Sequence, residues 1–128
     1  MSDAVITSPH NPTVKLIRSL AEKKHRQETG LFVAEGYNVL DRARNMGWEP
    51  EYLLSTRSMD PWGTAKQMVV DERVMSTLSG QKNVSPMIGV FRQRWLTSVK
   101  PQGTWLALED LRDPGNLGTI IRTADAVA

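Results

Sequence analysis

The sequence predicts an α/β protein. Three observations carry this. Short apolar runs bounded by glycine or turn residues alternate with stretches of helical periodicity over the first 93 residues. That alternation implies a mainly parallel sheet covered by helices on both faces. A Pro- and Gly-containing break at 94–104 is then followed by a new strand-and-helix pattern. The expected architecture is a three-layer α/β/α sandwich over residues 1–93, a linker at 94–104, and the first strand and helix of a second α/β domain at 105–128.

Asn11-Pro12 places a capping side chain ahead of a proline at the first helical position. Val14, Ile17, Leu20 and Ala21 continue at helical spacing to about Lys24. "GLFVAEG" (30–36) reads as a strand between glycines. Val39, Leu40, Ala43 and Met46 mark a second helix, which Gly47 is placed to end. "EYLLST" (51–56) is a second strand, "DPWGTAKQ" (60–67) a turn or short helix, and "MVV" (68–70) a third strand. Asp71 is positioned to cap "ERVMSTLS", with Gly80 beyond it, and "MIGVFRQ" (87–93) is a fourth strand. "RWLTSVKPQGT" (94–104) contains Pro101 and Gly103 and reads as a linker, and "WLALEDL" (105–111) as a fresh strand. Leu117, Ile120, Ile121, Ala124 and Val127 form one apolar face of a final helix. A strand and helix of this type need a further parallel strand to cross towards, and the helix has no C-terminal stop signal. The second domain is therefore expected to continue beyond Ala128.

The chain has 128 residues, 40% of them hydrophobic, enough for one ordinary domain. No apolar run approaches the ~20 residues of a membrane helix. The opening "MSDAVITSPHNPTVK" lacks the basic and apolar regions of a secretory signal. There is no cysteine. That excludes disulfides, thiolate zinc sites and cysteine nucleophiles, suits a reducing compartment, and makes the cytoplasm the expected location. His10 and His25 are too few for a metal site, so none is expected.

Formal net charge is only +2, but it is unevenly spread. Lys15, Arg18, Lys23, Lys24 and Arg26 face only Glu22 and Glu28 in the first helical region. From Arg73 to Leu108 the charged residues are Arg73, Lys82, Arg92, Arg94 and Lys100, with no acid among them. Segregated positive charge favours a polyanion, because each neutralised phosphate releases counterions. An ordinary solvated surface is the alternative.

"DLRDPGNLGTIIRTADAVA" (110–128) places a Pro/Gly turn between strand and helix, where α/β proteins put their sites. Asn116 can cap the helix or offer its amide to a ligand. Asn116, Thr119, Arg122 and Thr123 lie opposite the apolar face. A helix N-terminus with an arginine one turn inside suits a phosphate. A capped helix with a solvated arginine is the alternative. The stretch is neither G-x-G-x-x-G nor a P-loop.

"DPGNLGTIIRTADA" (113–126) resembles the first signature motif of the SpoU/TrmH family of RNA ribose methyltransferases. "RQETGLFVAEGYNVLDRA" (26–43) resembles the N-terminal substrate-binding domain of the same family, a domain similar to small ribosomal RNA-binding proteins. The order of the two segments also agrees. The likeness departs at "SPMIGVF", where Ile88 precedes Gly89 in place of a Gln-Gly pair. The resemblance implies methyl transfer from S-adenosylmethionine to a ribose 2′-hydroxyl of tRNA or rRNA, a trefoil-knot catalytic domain and a homodimer. The cofactor-binding motifs are expected beyond Ala128, so the chain alone should be inactive. Asn116 and Arg122 carry over as catalytic residues. Lys15, Arg18, Lys23, Lys24, Arg26, Arg92 and Arg94 become candidate RNA contacts. Glu35 is either an RNA contact or a cap for the helix that begins at Gly36, and Trp48, Trp62, Trp95 and Trp105 either stack bases or, for most of them, serve packing. A freestanding RNA-binding module without catalysis is the main alternative, and a nucleotide-binding piece of an unrelated α/β enzyme is a third.

Overall fold

The computed structural model describes residues 5–127. The elements run α1 (Pro12–Ser19), α2 (Lys23–Thr29), β1 (Leu31–Glu35), α3 (Tyr37–Asn45), β2 (Tyr52–Ser55), β3 (Lys66–Val69), α4 (Glu72–Leu78), β4 (Met87–Arg92) and α5 (Pro114–Val127). They form two compact units, one ending at Arg94 and the other beginning at Trp95.

The sheet has the order β1-β4-β2-β3. β2 and β3 are parallel, but β4 runs antiparallel to both of its neighbours. The sheet is thus mixed, which corrects the mainly parallel expectation. The cause lies after β3. A seven-residue helix, α4, rises only ~10 Å, and residues 79–86 return the chain to the carboxyl end of β2, between β2 and β1. Met87 consequently starts β4 beside Ser55, and Ile88 pairs with Glu35, at the carboxyl ends of β2 and β1. Glu35 holds this return. Its carboxylate accepts the Gly80 N–H at 2.7 Å and the Ser79 hydroxyl at 2.8 Å. It therefore does not cap α3, whose N-cap Gly36 makes no side-chain bond. Gly36 has φ 101°, a conformation that side chains disfavour.

Alternation along the strands divides the core between the two faces of the sheet. On one face Val14, Ile17, Val74 and Met75 of α1 and α4 pack with Leu54, Ile88 and Val90. On the other, Leu40 of α3 and Trp62 pack with Leu53 and Phe91. Gly89 makes the second contact possible, since a Cβ there would stand 2.7 Å from Leu40 Cδ2. Ile88, the residue at which the family likeness departs, is fully buried.

Two helix boundaries differ from the sequence expectation. The first helix stops at Ser19, and α2 is a separate, wholly polar helix with no buried residue. Arg26 secures the turn between them by donating to the Leu20 and Ala21 carbonyls, both at 2.9 Å. Asn11 caps α1 as its type and position predict, accepting from the Thr13 and Val14 N–H groups. Asp71 caps α4 through the Val74 N–H at 2.7 Å.

In the second unit, residues 105–111 form no strand, contrary to expectation. A strand needs a ladder partner, and among the described residues none pairs with it. Asp110, at φ 51°, also turns the chain out of the extended direction. α5 starts at Pro114, with Asp113 as its cap: Asp113 Oδ1 accepts the Gly115 N–H at 2.8 Å and its carbonyl accepts the Leu117 N–H. Asn116 lies within the first turn and is not the cap.

Candidate RNA-binding and catalytic residues

The basic residues named above fall into three environments. Lys15, Lys23 and Lys24 are exposed on α1 and α2. Arg18 and Arg26 are tied into the fold. Arg18 donates to the Pro9 carbonyl at 2.9 Å, and Arg26 spans the α1–α2 turn. Arg92 pairs with Glu51 at 2.7 Å, and the Arg94 guanidinium lies 3.9 Å from the Trp48 ring centroid.

Folding brings two of the basic segments to one end of the sheet. The Gln93 N–H donates to the Gly30 carbonyl at 2.7 Å, so the end of β4 lies against the α2–β1 junction. Leu31, next in the chain, is the register partner of Arg92. This juxtaposition follows from the reversed direction of β4 and has no signal in local sequence.

On the opposite sheet face, Phe32, Trp48, Phe91 and Trp62 form a continuous aromatic cluster with ring centroids 5.9–6.3 Å apart. Trp62 is anchored by its Nε1–H, which donates to the Trp48 carbonyl at 2.9 Å. Arg44 stacks over Trp62 at 4.7 Å. Two of the four tryptophans therefore pack in the first unit, whereas Trp95 and Trp105 are exposed in the second.

In α5, Asn116 and Arg122 are both exposed. They stand six positions apart, ~9 Å along the axis. Arg122 instead meets Thr119, whose hydroxyl accepts from Nη2 at 3.4 Å and donates to the Gly115 carbonyl at 3.0 Å. Thr119 is thus the side chain that steadies Arg122. Its i,i+3 spacing from the arginine is the sequence signal that marks it. The apolar face of α5 and Trp105 and Leu106 border an open groove of about 650 Å³. Among the described residues no cluster of His, Asp or Glu is placed to hold a metal ion, and no helix is long and apolar enough to cross a membrane.

A mixed sheet bearing basic helices is a framework suited to holding a polyanionic substrate. Residues 11–89 match the family model of the MRM3-like substrate binding domain. The chain belongs to the SpoU/TrmH family of RNA methyltransferases. Among its relatives, an uncharacterized tRNA/rRNA methyltransferase of Synechocystis sp. is 32% identical over 96% of this chain and 49% of its own length. The Bacillus subtilis 23S rRNA (guanosine(2553)-2′-O)-methyltransferase RlmP is 28% identical over 94% of this chain and 50% of its own. The AdoMet-bound rRNA methyltransferase of Sinorhizobium meliloti superposes with a TM-score of 0.80 at 39% identity, covering 96% of this chain and 51% of that one. The chain spans about half the length of the curated relatives it matches.

Proposed function

We propose that this chain supplies the RNA-binding domain and the opening of the catalytic domain of an AdoMet-dependent enzyme that methylates a ribose 2′-hydroxyl in tRNA or rRNA. The observation that carries the reading is the extent of the likeness to the Bacillus enzyme. It covers 94% of the chain and so runs from the first unit well into the second. In this reading the first unit is the three-layer sandwich that holds RNA, and α5 belongs to a trefoil-knot domain that dimerises.

The residues present do not by themselves fit the cofactor. The groove bordering α5 is open and mainly apolar, with Asp125 the carboxylate on its wall. The hydroxyls on its wall, Thr119 and Thr123, already donate to the Gly115 and Thr119 carbonyls. AdoMet has an amino acid end that needs both donors and acceptors, and this wall offers acceptors but few free donors; in this reading its site is completed by residues other than these, and the chain alone binds RNA without turning over.

The contribution of α5 is to the RNA side of the reaction. A guanidinium offers N–H donors and no acceptor, which suits Arg122 to holding negative charge rather than to taking up a proton. Steadied by Thr119, it would hold the phosphate beside the target ribose and stabilise negative charge developing on the 2′-oxygen. Asn116, a turn and a half nearer the helix start, would donate to the same nucleotide. In the full-length protein, Arg122→Ala is expected to abolish transfer of labelled methyl from AdoMet while RNA binding is left largely intact, because the first unit supplies most of the phosphate contacts. Near-normal turnover would refute the role of Arg122. Product nucleosides methylated on the base, rather than on the 2′-oxygen, would refute the ribose assignment.

A further inference from the structure

Beside the edge strand β1, beneath α3, lies a groove of about 210 Å³. Phe32, Trp48 and Phe91 form its floor, and Val39, Arg42 and Met46 line its rim. Val39 is 46% exposed and Met46 62%, although both sit on the apolar side of a helix that otherwise buries Leu40. α3 therefore only partly covers the sheet, and an aromatic surface stays accessible at its margin. The space is smaller than the ~300–1,000 Å³ of pockets that take drug-sized ligands. It suits one flat heterocycle and is too small for a helix or strand.

The charges around it select the occupant. No carboxylate lines the groove. Arg42 stands on its rim, and the Arg94 guanidinium sits over Trp48, 3.9 Å from its ring centroid, adding a cation beside the aromatic surface. Aromatic rings and guanidinium planes beside positive charge are what unpaired bases stack on, with the backbone phosphate drawn to the cations.

We propose that this groove receives one unpaired nucleobase of the RNA, stacked against the Trp48–Arg94 pair, with Arg42 meeting its phosphate. The inference rests on the chain being an RNA-binding protein and assigns Arg94 to a base rather than to the phosphate backbone alone. It distinguishes single-stranded from paired RNA, because a base within a duplex cannot enter.

The test compares the full chain with Met46→Glu and Arg42→Ala/Arg94→Ala variants, whose changed side chains are exposed, using a short unstructured RNA and a duplex of the same sequence. Loss of one stacked base is expected to weaken single-strand binding by about tenfold or more, while duplex binding falls much less. Circular dichroism and the unfolding midpoint of each variant verify that the first unit is intact. Parallel losses for both RNAs, or variants that bind the single strand as tightly as the parent, overturn the groove assignment and leave RNA binding standing. A chain that binds neither RNA removes both readings. If Met46→Glu changes the sedimentation mass and not the affinity, the groove belongs to a second copy of the chain and the proposal fails.

Discussion

At the scale of single residues, the fold depends on side chains with one clear task. Gly89 sits where Leu40 crosses β4, and a methyl group there would come within 2.7 Å of Leu40 Cδ2 and 2.8 Å of Phe91 Cε2. Gly89→Ala is therefore expected to lower the stability of the first unit by about 1–3 kcal/mol, the usual range for overpacking a core. Urea unfolding followed by tryptophan fluorescence would measure it, and an unchanged midpoint would show that α3 shifts freely. Much at this scale is legible in sequence. Asn11, Asp71 and Gly47 stand where caps and stops belong, because capping is local chemistry. Asn116 is misread for a related reason. In "RDPGN" both Asp113 and Asn116 are capping types, and Pro114 decides between them by occupying the first helical position after Asp113. Glu35 is illegible, since its partners Ser79 and Gly80 lie more than forty positions away.

At the scale of elements, α2 shows the limit of periodicity. "KKHRQET" has no apolar face, so nothing repeats at helical spacing, and no residue of it is buried. Its signals are instead the glycine that follows it, Gly30, and the i,i+3 spacing that sets His25 beside Glu22 and Glu28 at 3.7 and 3.4 Å. A helix that buries nothing needs another use, and here its exposed lysines are the ones free of structural duties. Neutralising Lys15, Lys23 and Lys24 together is expected to reduce the salt slope of RNA binding by about two, with little change in stability. Arg18 and Arg26 behave differently, because their loss also removes bonds to the Pro9, Leu20 and Ala21 carbonyls. Binding measured across a salt series separates the groups, and an unchanged slope in the triple variant would take α1 and α2 out of the interface. The segment at 105–111 marks the opposite limit. Its composition is that of a strand, but a strand is a property of a pair, and no partner is among the described residues.

At the scale of the whole molecule, the two units differ in how they are held. Every described residue classed as buried lies at or before Phe91, and none lies between Trp95 and Val127. Local opening free energy follows buried contact. Limited proteolysis of the full chain is thus expected to cut within residues 95–113 first and to leave a product ending near Arg94. That product should unfold with nearly the same midpoint as the parent. A fall of more than about 4–8 °C, the shift that corresponds to ~1 kcal/mol for a domain of this size, would show that the second unit supports the first. The alternation of strand and helix was enough to read the α/β class, but not the direction of β4. That direction depends on where residues 79–86 take the chain, and the contacts there, such as Glu35 with Ser79 and Gly80, are tertiary and leave no local pattern.

The position of β4 also bears on how the protein comes into being. β1 and β2 share no hydrogen bonds, and the strand between them is the last of the four to be synthesised. A nascent chain emerging from the ribosome holds β1 without a neighbour until Met87–Arg92 follows, and the two aromatic floor residues Phe32 and Phe91 meet only then. Pairing across that sequence separation is slow and leaves an edge exposed meanwhile. Chains stalled before Met87 are expected to stay protease-sensitive, whereas chains that have released Arg92 from the exit tunnel acquire protection in one step. A stalled chain already protected without β4 would show that β2, β3 and their helices form a folding unit by themselves.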